Sequence, residues 1–468
     1  MKPPPPGCRF FSQIYLGPPR VIPTLKICSS RNCAPPDQSR PIWGDFTNRR
    51  TGGAKPRSRF SPGARWRRNI CAFTKKCLLI KGMKIAMIIP DNRDEFRKFD
   101  DPVPYFGPAP SALLEGLAGN QDCEVHIVSC VHRTMTAPEK IAGNIYYHAV
   151  GVGKWGWLRG GYLGCIRAIR RQLQKIQPDI VHGQGTERYC AISAVSSGFP
   201  NVLTIHGNMK AIAEIYGAQF GSFHWLTARL ETFTLARTAG VFCNSAYTES
   251  LVKPRTKKIW RVANALQPEF FKPRPVPPPA TRPVFLNVGM MEPRKQQLEL
   301  LGVARKWHER GFKFELRFVG NRAEQTDYGR TFLRELAAAE SAGYARHLGL
   351  QSVTQIIETM DAASALIHFP SEEAFGLVVA EALARNLKFF GAATGGVVDI
   401  AGGVQGAELV PAQDWAALEN AIARWLTADC PPPPDTAAIM RERYHPTVIA
   451  RRHLEIYREV IQERSAKS

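Results

Sequence analysis

From residue 83 onward, short apolar runs of four to six residues alternate with longer stretches in which apolar side chains recur every three or four positions. The short runs predict strands at 84–89, 124–128, 145–150, 179–182, 202–206 and 240–243, and again at 284–288, 315–319, 344–348, 364–369, 388–390 and 408–410. Between them the helical period predicts helices at 110–118, 162–176, 209–218, 223–239, 296–309, 329–342, 353–362, 375–386 and 415–426, with a last one from 446 to 463. Strand and helix in alternation are the mark of α/β folding around a parallel sheet. The pattern occurs twice, on either side of residues 267–283, which hold seven prolines, Pro268 and Pro283 among them. Proline at that density suits neither a helix nor a central strand, so this segment is expected to be a stiff, extended connector.

Ligands of open α/β sheets bind beyond the carboxyl ends of strands. The richest such position is the stretch HFPSEEAFGLVVAEALA, residues 368–384. Its helix is apolar on almost every face and therefore predicted to be buried, yet Glu381 lies inside it and Glu373 just before it. A buried carboxylate needs a partner. Eight residues of helix put the two carboxylates about 12 Å apart along the axis. The free N–H groups of the helix start, around Phe375 and Gly376, lie between them as a site for phosphate. A carboxylate, an anion-binding helix end and a second carboxylate can bracket a sugar, a diphosphate and a ribose in that order.

Glu373-x7-Glu381, with the preceding Pro370-Ser371, the Phe375-Gly376 pair and the downstream TGGVVD at 394–399, resembles the donor-site signature of the retaining GT-B glycosyltransferases, closest to glycosyltransferase family 4. The resemblance extends over about residues 83–463. It implies two doubly wound Rossmann-like domains facing across a cleft: an acceptor-side domain at 83–266, a nucleotide-sugar-binding domain at 284–430, and a crossover helix at 444–463 that returns to the first domain. It also implies roles. Glu373 would hold sugar hydroxyls and Glu381 the ribose, while Ser371, Phe375 and Gly376 would complete the donor site. In NVGMMEPRKQQLEL (287–300), a strand-to-helix turn carries Arg294 and Lys295, a bidentate fork and a point charge suited to a diphosphate. Many relatives have arginine directly after the glycine, where this chain has Met290. His206 ends a buried-looking strand before Gly207, and the family's histidine at that place faces the sugar across the cleft. Gly107 stands for the family's glycine loop, although Pro108 and Pro110 follow it here and remove two N–H donors. His182 and Gln184 are candidates on the acceptor side.

A competing motif, Gly151-Val-Gly153-Lys-Trp-Gly156, matches the dinucleotide-binding fingerprint. It follows a later strand, not the first βα turn, and the next acid, Asp179, opens a strand where a ribose-binding acid would close one. No dinucleotide cofactor is expected.

The net charge of +22 points first to nucleic acid or an anionic membrane. Its distribution changes that picture. Residues 1–82 hold 17 lysines and arginines against Asp37 and Asp45, which leaves +7 for the other 386 residues. The same segment has 12 of the 36 prolines and five of the 11 cysteines, and it reads as translated upstream sequence before a start at Met83, as a disordered tail, or as a targeting segment. No nucleic-acid partner is expected for the body of the chain. The basic helical segment at 162–176 reads as a solvated face or as a peripheral contact with anionic membrane. No run of about 18 apolar residues is present, so no transmembrane helix is predicted. The six remaining cysteines show no ligand or disulfide spacing, consistent with a reducing cytoplasm.

Together these readings imply a cytoplasmic enzyme, in places peripheral at the inner membrane face. It would move a sugar, with retention, from a nucleotide diphosphate to a hydroxyl of a glycan, lipid or small molecule, as in cell-envelope polysaccharide synthesis. Front-side attack, with the leaving phosphate taking the proton, is the family's favoured mechanism. No Asp-x-Asp pair is present to hold a metal on the diphosphate, so none is expected to be required. The rivals are a GT-B phosphorylase or synthase acting on a soluble sugar, and a non-catalytic basic binding protein with a degenerate transferase core.

Overall fold

The computed structural model describes residues 82–274 and 282–466. The proposed extension at 1–82 thus lies outside the described residues except for Gly82, as does the proline cluster at 275–281. Met83, the expected start of the folded chain, is the first residue of strand β1.

The first half carries β1 (Met83–Ile88), β2 (Cys123–Val131), β3 (Lys140–Ala142), β4 (Ile145–Gly151), β5 (Ile180–Gln184), β6 (Asn201–Ile205), β7 (Val241–Cys243) and β8 (Ile259–Arg261). They form one sheet in the order β3-β4-β2-β1-β5-β6-β7-β8, parallel throughout except where β3 runs antiparallel to β4. Its helices are α1 (Asn92–Phe96), α2 (Pro108–Leu117), α3 (Leu163–Ile176), α4 (Tyr189–Val195), α5 (Met209–Ile215), α6 (Phe223–Leu235) and α7 (Ala246–Val252). The second half has β9 (Val284–Val288), β10 (Glu315–Val319), β11 (Ala345–His347), β12 (Ala365–His368), β13 (Lys388–Ala392) and β14 (Ala407–Val410). These make an all-parallel sheet in the order β11-β10-β9-β12-β13-β14. Helices α8 (Gln297–Glu309), α9 (Asp327–Ser341), α10 (Val353–Asp361), α11 (Leu377–Ala384), α12 (Val397–Ala401), α13 (Trp415–Thr427) and α14 (Ala437–Tyr444) accompany it. The last helix, α15 (Pro446–Ser465), follows.

The central strands of both sheets are buried on both faces, which is why strands such as β9 (VFLNV) are continuous apolar text. Burial, not alternation, is the signal there. Each sheet reverses its strand order once, between β1 and β5 in the first half and between β9 and β12 in the second. Crevices for ligands open at such reversals.

The crossover helix packs as expected on the first half: Ile449, Ala450, Leu454, Ile456, Tyr457 and Val460 share a core with Met83, Ile85, Leu113 and Leu117. Its boundary needs correcting from 444. Tyr444 ends α14, which packs in the second half beside α11, and Pro446 takes the first-turn position of α15, where a missing N–H costs nothing. A Cβ on Gly116 would come within 2.2 Å of the Pro446 carbonyl oxygen, so only glycine lets α2 and α15 lie this close. The connector is also not extended throughout. Among its described residues, Pro268–Phe271 forms a 3-10 turn that buries Phe270 and Phe271 in the core of the second half.

Candidate active site

The cleft is built from the carboxyl ends of the strands at both reversals. A cavity of about 220 Å³ there is bounded by Asn92, Gly107, Gln184 and His206 from the first half and by Lys295 and Glu373 from the second. Arg294, Phe375 and Gly376 also line it. Eight of the eleven site candidates read from the sequence therefore meet at one place. His182, Ser371 and Glu381 do not line it. Ser371 is exposed at the rim, where its N–H (2.9 Å) and hydroxyl (3.3 Å) both donate to the carbonyl of Arg294, so it ties the β12 loop to the β9 loop. Glu381 is buried on the inner turns of α11.

After β9 the chain turns through Gly289, Met290 and Met291, both methionines buried, into the 3-10 turn Pro293–Lys295. Arg294 is clamped there. Its Nη2 donates to Glu292 at 2.6 Å, and its Nη1 donates to the carbonyl of Glu372 at 2.8 Å and to the Glu372 carboxylate at 3.2 Å. Burial works against its charge, but Glu292, Glu373 and Glu372 hold the guanidinium pKa above its ordinary value. Lys295 instead reaches a single carboxylate, that of Glu373. The same Glu373 oxygen lies 2.9 Å from His368 Nε2, on the last residue of β12. Burial disfavours the Glu373 charge, yet Lys295, His368 and Arg294 outweigh it and hold the carboxyl well below the usual carboxylate range. Glu372 responds the other way, raised chiefly by burial, with Arg294 opposing and Glu373 adding to the rise.

The turn that presents Glu373 is glycine-dependent. Gly396 N–H donates to the Glu373 carbonyl at 2.9 Å, and Gly395, at φ +51°, passes so close that a Cβ would lie 1.9 Å from that oxygen. The helix beyond starts at Leu377, two residues later than the periodicity predicts, because Gly376 adopts φ +94° as its cap. The amides of Phe375 and Gly376 therefore belong to the turn facing the cavity.

On the opposite wall, His206 Nε2 lies 3.0 Å from Gln184 Oε1. An amide oxygen only accepts, so Nε2 carries the proton and Nδ1 is left as an acceptor. Burial lowers the His206 pKa to about 4, and the ring is neutral near pH 7. His182 is not a cleft residue. It is fully buried, between Thr204 (2.7 Å) and the hydroxyl of Tyr457 on α15 (2.5 Å), and so belongs to the seam between sheet and crossover helix. Gly107 has φ +82° and caps α2. With Pro108 and Pro110 lacking an N–H, and Ser111 N–H bonded to the Gly107 carbonyl, Ala109 keeps the first-turn amide that faces the cavity.

Gln184, a candidate from its place at a strand end, does line the cavity, and the fold brings it to His206. Two further contributors carry no readable signal in the sequence. Glu231, in the middle of α6, is fully buried and takes donors from Thr186 (2.8 Å), Met209 N–H (2.8 Å) and Arg255 (2.7 Å), fixing the loop after His206. Ser245, the capping residue of α7, donates to the Ala374 carbonyl at 2.6 Å, and Ala246 N–H donates to Asp399 at 2.6 Å. These two bonds connect the halves directly beside Glu373. The Gly151–Gly156 motif stands apart, at the end of β4, and shares no residue with the cavity.

Two family models match the chain in tandem, glycosyltransferase family 4 over residues 111–269 and glycosyl transferases group 1 over residues 269–443. No curated protein gives a significant match. Solved structures do. Sucrose-phosphate synthase from Thermosynechococcus elongatus aligns over 81% of this chain and 100% of its own, at 18% identity and a TM-score of 0.63. Anabaena HepE in complex with UDP and glucose aligns over 80% of this chain and 99% of its own, at 15% identity and a TM-score of 0.59. The lipopolysaccharide outer core galactosyltransferase WaaB covers 81% and 100%, at 16% identity and a TM-score of 0.58. At such identities the structures speak for the fold, and the tandem family matches carry the kinship. With two parallel-sheet halves, a cleft at both strand-order reversals and both family models in register with those halves, the chain belongs to the GT-B glycosyltransferase superfamily.

Proposed function

We propose that the protein transfers a sugar, with retention of anomeric configuration, from a nucleotide-diphosphate donor to a hydroxyl of a glycan, lipid-linked or small-molecule acceptor. The observation that carries the reading is the convergence of Lys295, Glu373 and the Phe375–Gly376 amides on one wall of the cleft, with neutral His206 on the other.

The charges assign the work. Arg294 is already matched by two carboxylates and has little attraction left for a phosphate; it braces the loop. Lys295 has one carboxylate partner and is the cation free to exchange it. When a diphosphate takes Lys295, Glu373 is released to accept hydrogen bonds from the donor sugar's hydroxyls. The turn amides add fixed dipoles aimed at the charge that develops on the leaving phosphate, the kind of preorganised stabilisation that dominates such barriers. The C–O bond to the leaving diphosphate breaks as the acceptor oxygen bonds the anomeric carbon, and the acceptor's proton goes to the leaving phosphate oxygen, so no side-chain base is needed. His206 presents Nδ1 as an acceptor to a sugar hydroxyl. Glu381 would take the ribose, and the reaction would run without a divalent metal. Neighbours of the same fold include complexes with UDP and glucose, which makes UDP-sugars the first donors to try.

The test is binding and slow hydrolysis of UDP-, GDP- and ADP-sugars by the full-length protein, with and without EDTA, beside Glu381→Ala. One donor bound, hydrolysed despite EDTA and lost in the variant supports the reading; the anomeric proton coupling of the product then reports retention. No binding by any nucleotide sugar in a folded protein overturns it.

A further inference from the structure

We propose that the outer face of α3, together with the turn that precedes it, is a docking surface for an anionic lipid bilayer. Between Glu139 and Asp179 the chain has no acidic residue at all but carries Lys154, Arg159, Arg167, Arg170, Arg171 and Lys175, all exposed. Among the described residues none of these six forms an ion pair, although most other surface arginines of the protein do. In α3 the buried positions Cys165, Ile169, Leu173 and Ile176 occupy one side. Helical geometry therefore sets Leu163, Arg167, Arg170 and Arg171 together on the other.

A basic face alone would be a solvated face. The second observation is apolar. Trp155 is 81% exposed and Leu163 54% exposed, next to those cations. Trp155 is not on a loose loop. Two residues on, Trp157 is anchored: it stacks on His132 at 3.8 Å and donates to the Val152 carbonyl at 3.1 Å. The turn is also pressed against α3 through glycines. A Cβ on Gly156 would lie 2.8 Å from the Gly164 Cα, and one on Gly160 would lie 2.1 Å from the Trp155 carbonyl oxygen. Of the apparent dinucleotide motif's glycines, Gly156 is thus explained by close backbone approach, while a Cβ on Gly151 or Gly153 would meet nothing within 4 Å. Gly156 and Gly160 fix the turn that carries the exposed tryptophan among arginines. Indole at the level of headgroups with cations around it is the arrangement of an interfacial membrane anchor. Each cation near an anionic bilayer raises partitioning about fivefold.

The surface also adjoins the cleft. Tyr162, at the start of α3, packs at 6.4 Å on Tyr189, whose neighbour Arg188 lines the cavity. Only the consequence, presentation of a lipid-borne acceptor to the cleft, rests on the glycosyltransferase reading; the surface stands without it.

The experiment is vesicle co-flotation of the full-length protein with phosphatidylglycerol-containing and pure phosphatidylcholine vesicles, comparing wild type with Arg167→Ala/Arg170→Ala/Arg171→Ala. Bromolipid quenching of tryptophan emission is compared between wild type and Trp155→Phe. Expected are a loss of binding on the order of 100-fold in the triple variant, weaker binding at high salt, and quenching that disappears with Trp155. Donor hydrolysis should be unchanged in both variants, which separates this proposal from the activity. Binding unchanged in the triple variant, with no quenching due to Trp155, would assign any vesicle affinity to residues 1–81 or to none and would overturn the proposal.

Discussion

Lys295, at the end of the turn after β9, and Glu373, in the turn after β12, form an ion pair across the β9–β12 reversal, and each side chain is only 11% exposed. Lys295 has no other carboxylate within ion-pair distance among the described residues, while Glu373 also meets His368 Nε2 at 2.9 Å. Lys295→Ala should therefore do two separable things. On the proposed reading it removes the cation that would meet the leaving diphosphate, with an expected fall in kcat of about 100- to 1,000-fold. It also strands a buried carboxylate, which costs about 3 kcal/mol or more of stability. The Lys295→Met/Glu373→Gln double variant should regain most of the stability in urea unfolding while remaining inactive. If the double variant recovers activity, the pair is structural.

Gly395 sets the position of Glu373 through its backbone. Gly395→Ala places a methyl group where the Glu373 carbonyl stands and must displace it by about 1 Å, a shift expected to cost about 100-fold in kcat. Donor affinity, measured by calorimetry, should fall much less. Full activity would mean that the turn relaxes without moving the carboxylate.

Arg385, at the C-terminal end of α11, is buried and holds Asp361 with two bonds of 2.8 and 2.7 Å. It also donates to the Phe270 carbonyl at 3.2 Å. Arg385→Met should destabilise by about 3–5 kcal/mol because Asp361 is left charged and buried, and Arg385→Met/Asp361→Asn should recover a large part. Chemical denaturation checks both.

Acid should loosen the seam with the crossover helix. His453 is buried, stacks on Phe242 at 4.7 Å, and burial lowers its pKa to about 4. Between about pH 6.5 and 4 the unfolded chain binds this proton and the folded one does not, so stability falls as pH is lowered through that window. The slope due to one such group is at most about 1.4 kcal/mol per pH unit. His453→Phe, which keeps the stacking, should flatten the pH dependence of urea unfolding over that range. An unaltered slope would place the effect in other groups, such as His182.

Strands buried on both faces announce themselves as unbroken apolar runs, and β9 and β10 fall where the sequence puts them, residue for residue. Helix α4 has the same apolar text, YCAISAV, and was not legible. Six of its seven residues are buried, so no period shows, and length alone cannot separate helix from strand. The site divides similarly. Glu373 and Lys295 stand in turns next to strand ends, where local text is dense with signals. Glu231 matters through a partner 45 residues away, and a glutamate in mid-helix looks like any solvated one. The helix start at Leu377 was missed by two residues because Gly376 takes a backbone angle that hydrophobic period does not encode.

The halves are joined by two passages of chain, one leaving the first half near Leu266 and one returning at Tyr444. Leu266 N–H donates to the Tyr444 carbonyl at 3.0 Å, so these passages run side by side as a two-ply band. A single tether would let the halves swivel in any direction. Two plies bonded together resist twist, and the Ser245–Ala374 and Ala246–Asp399 bonds must also part before the walls of the cleft can separate.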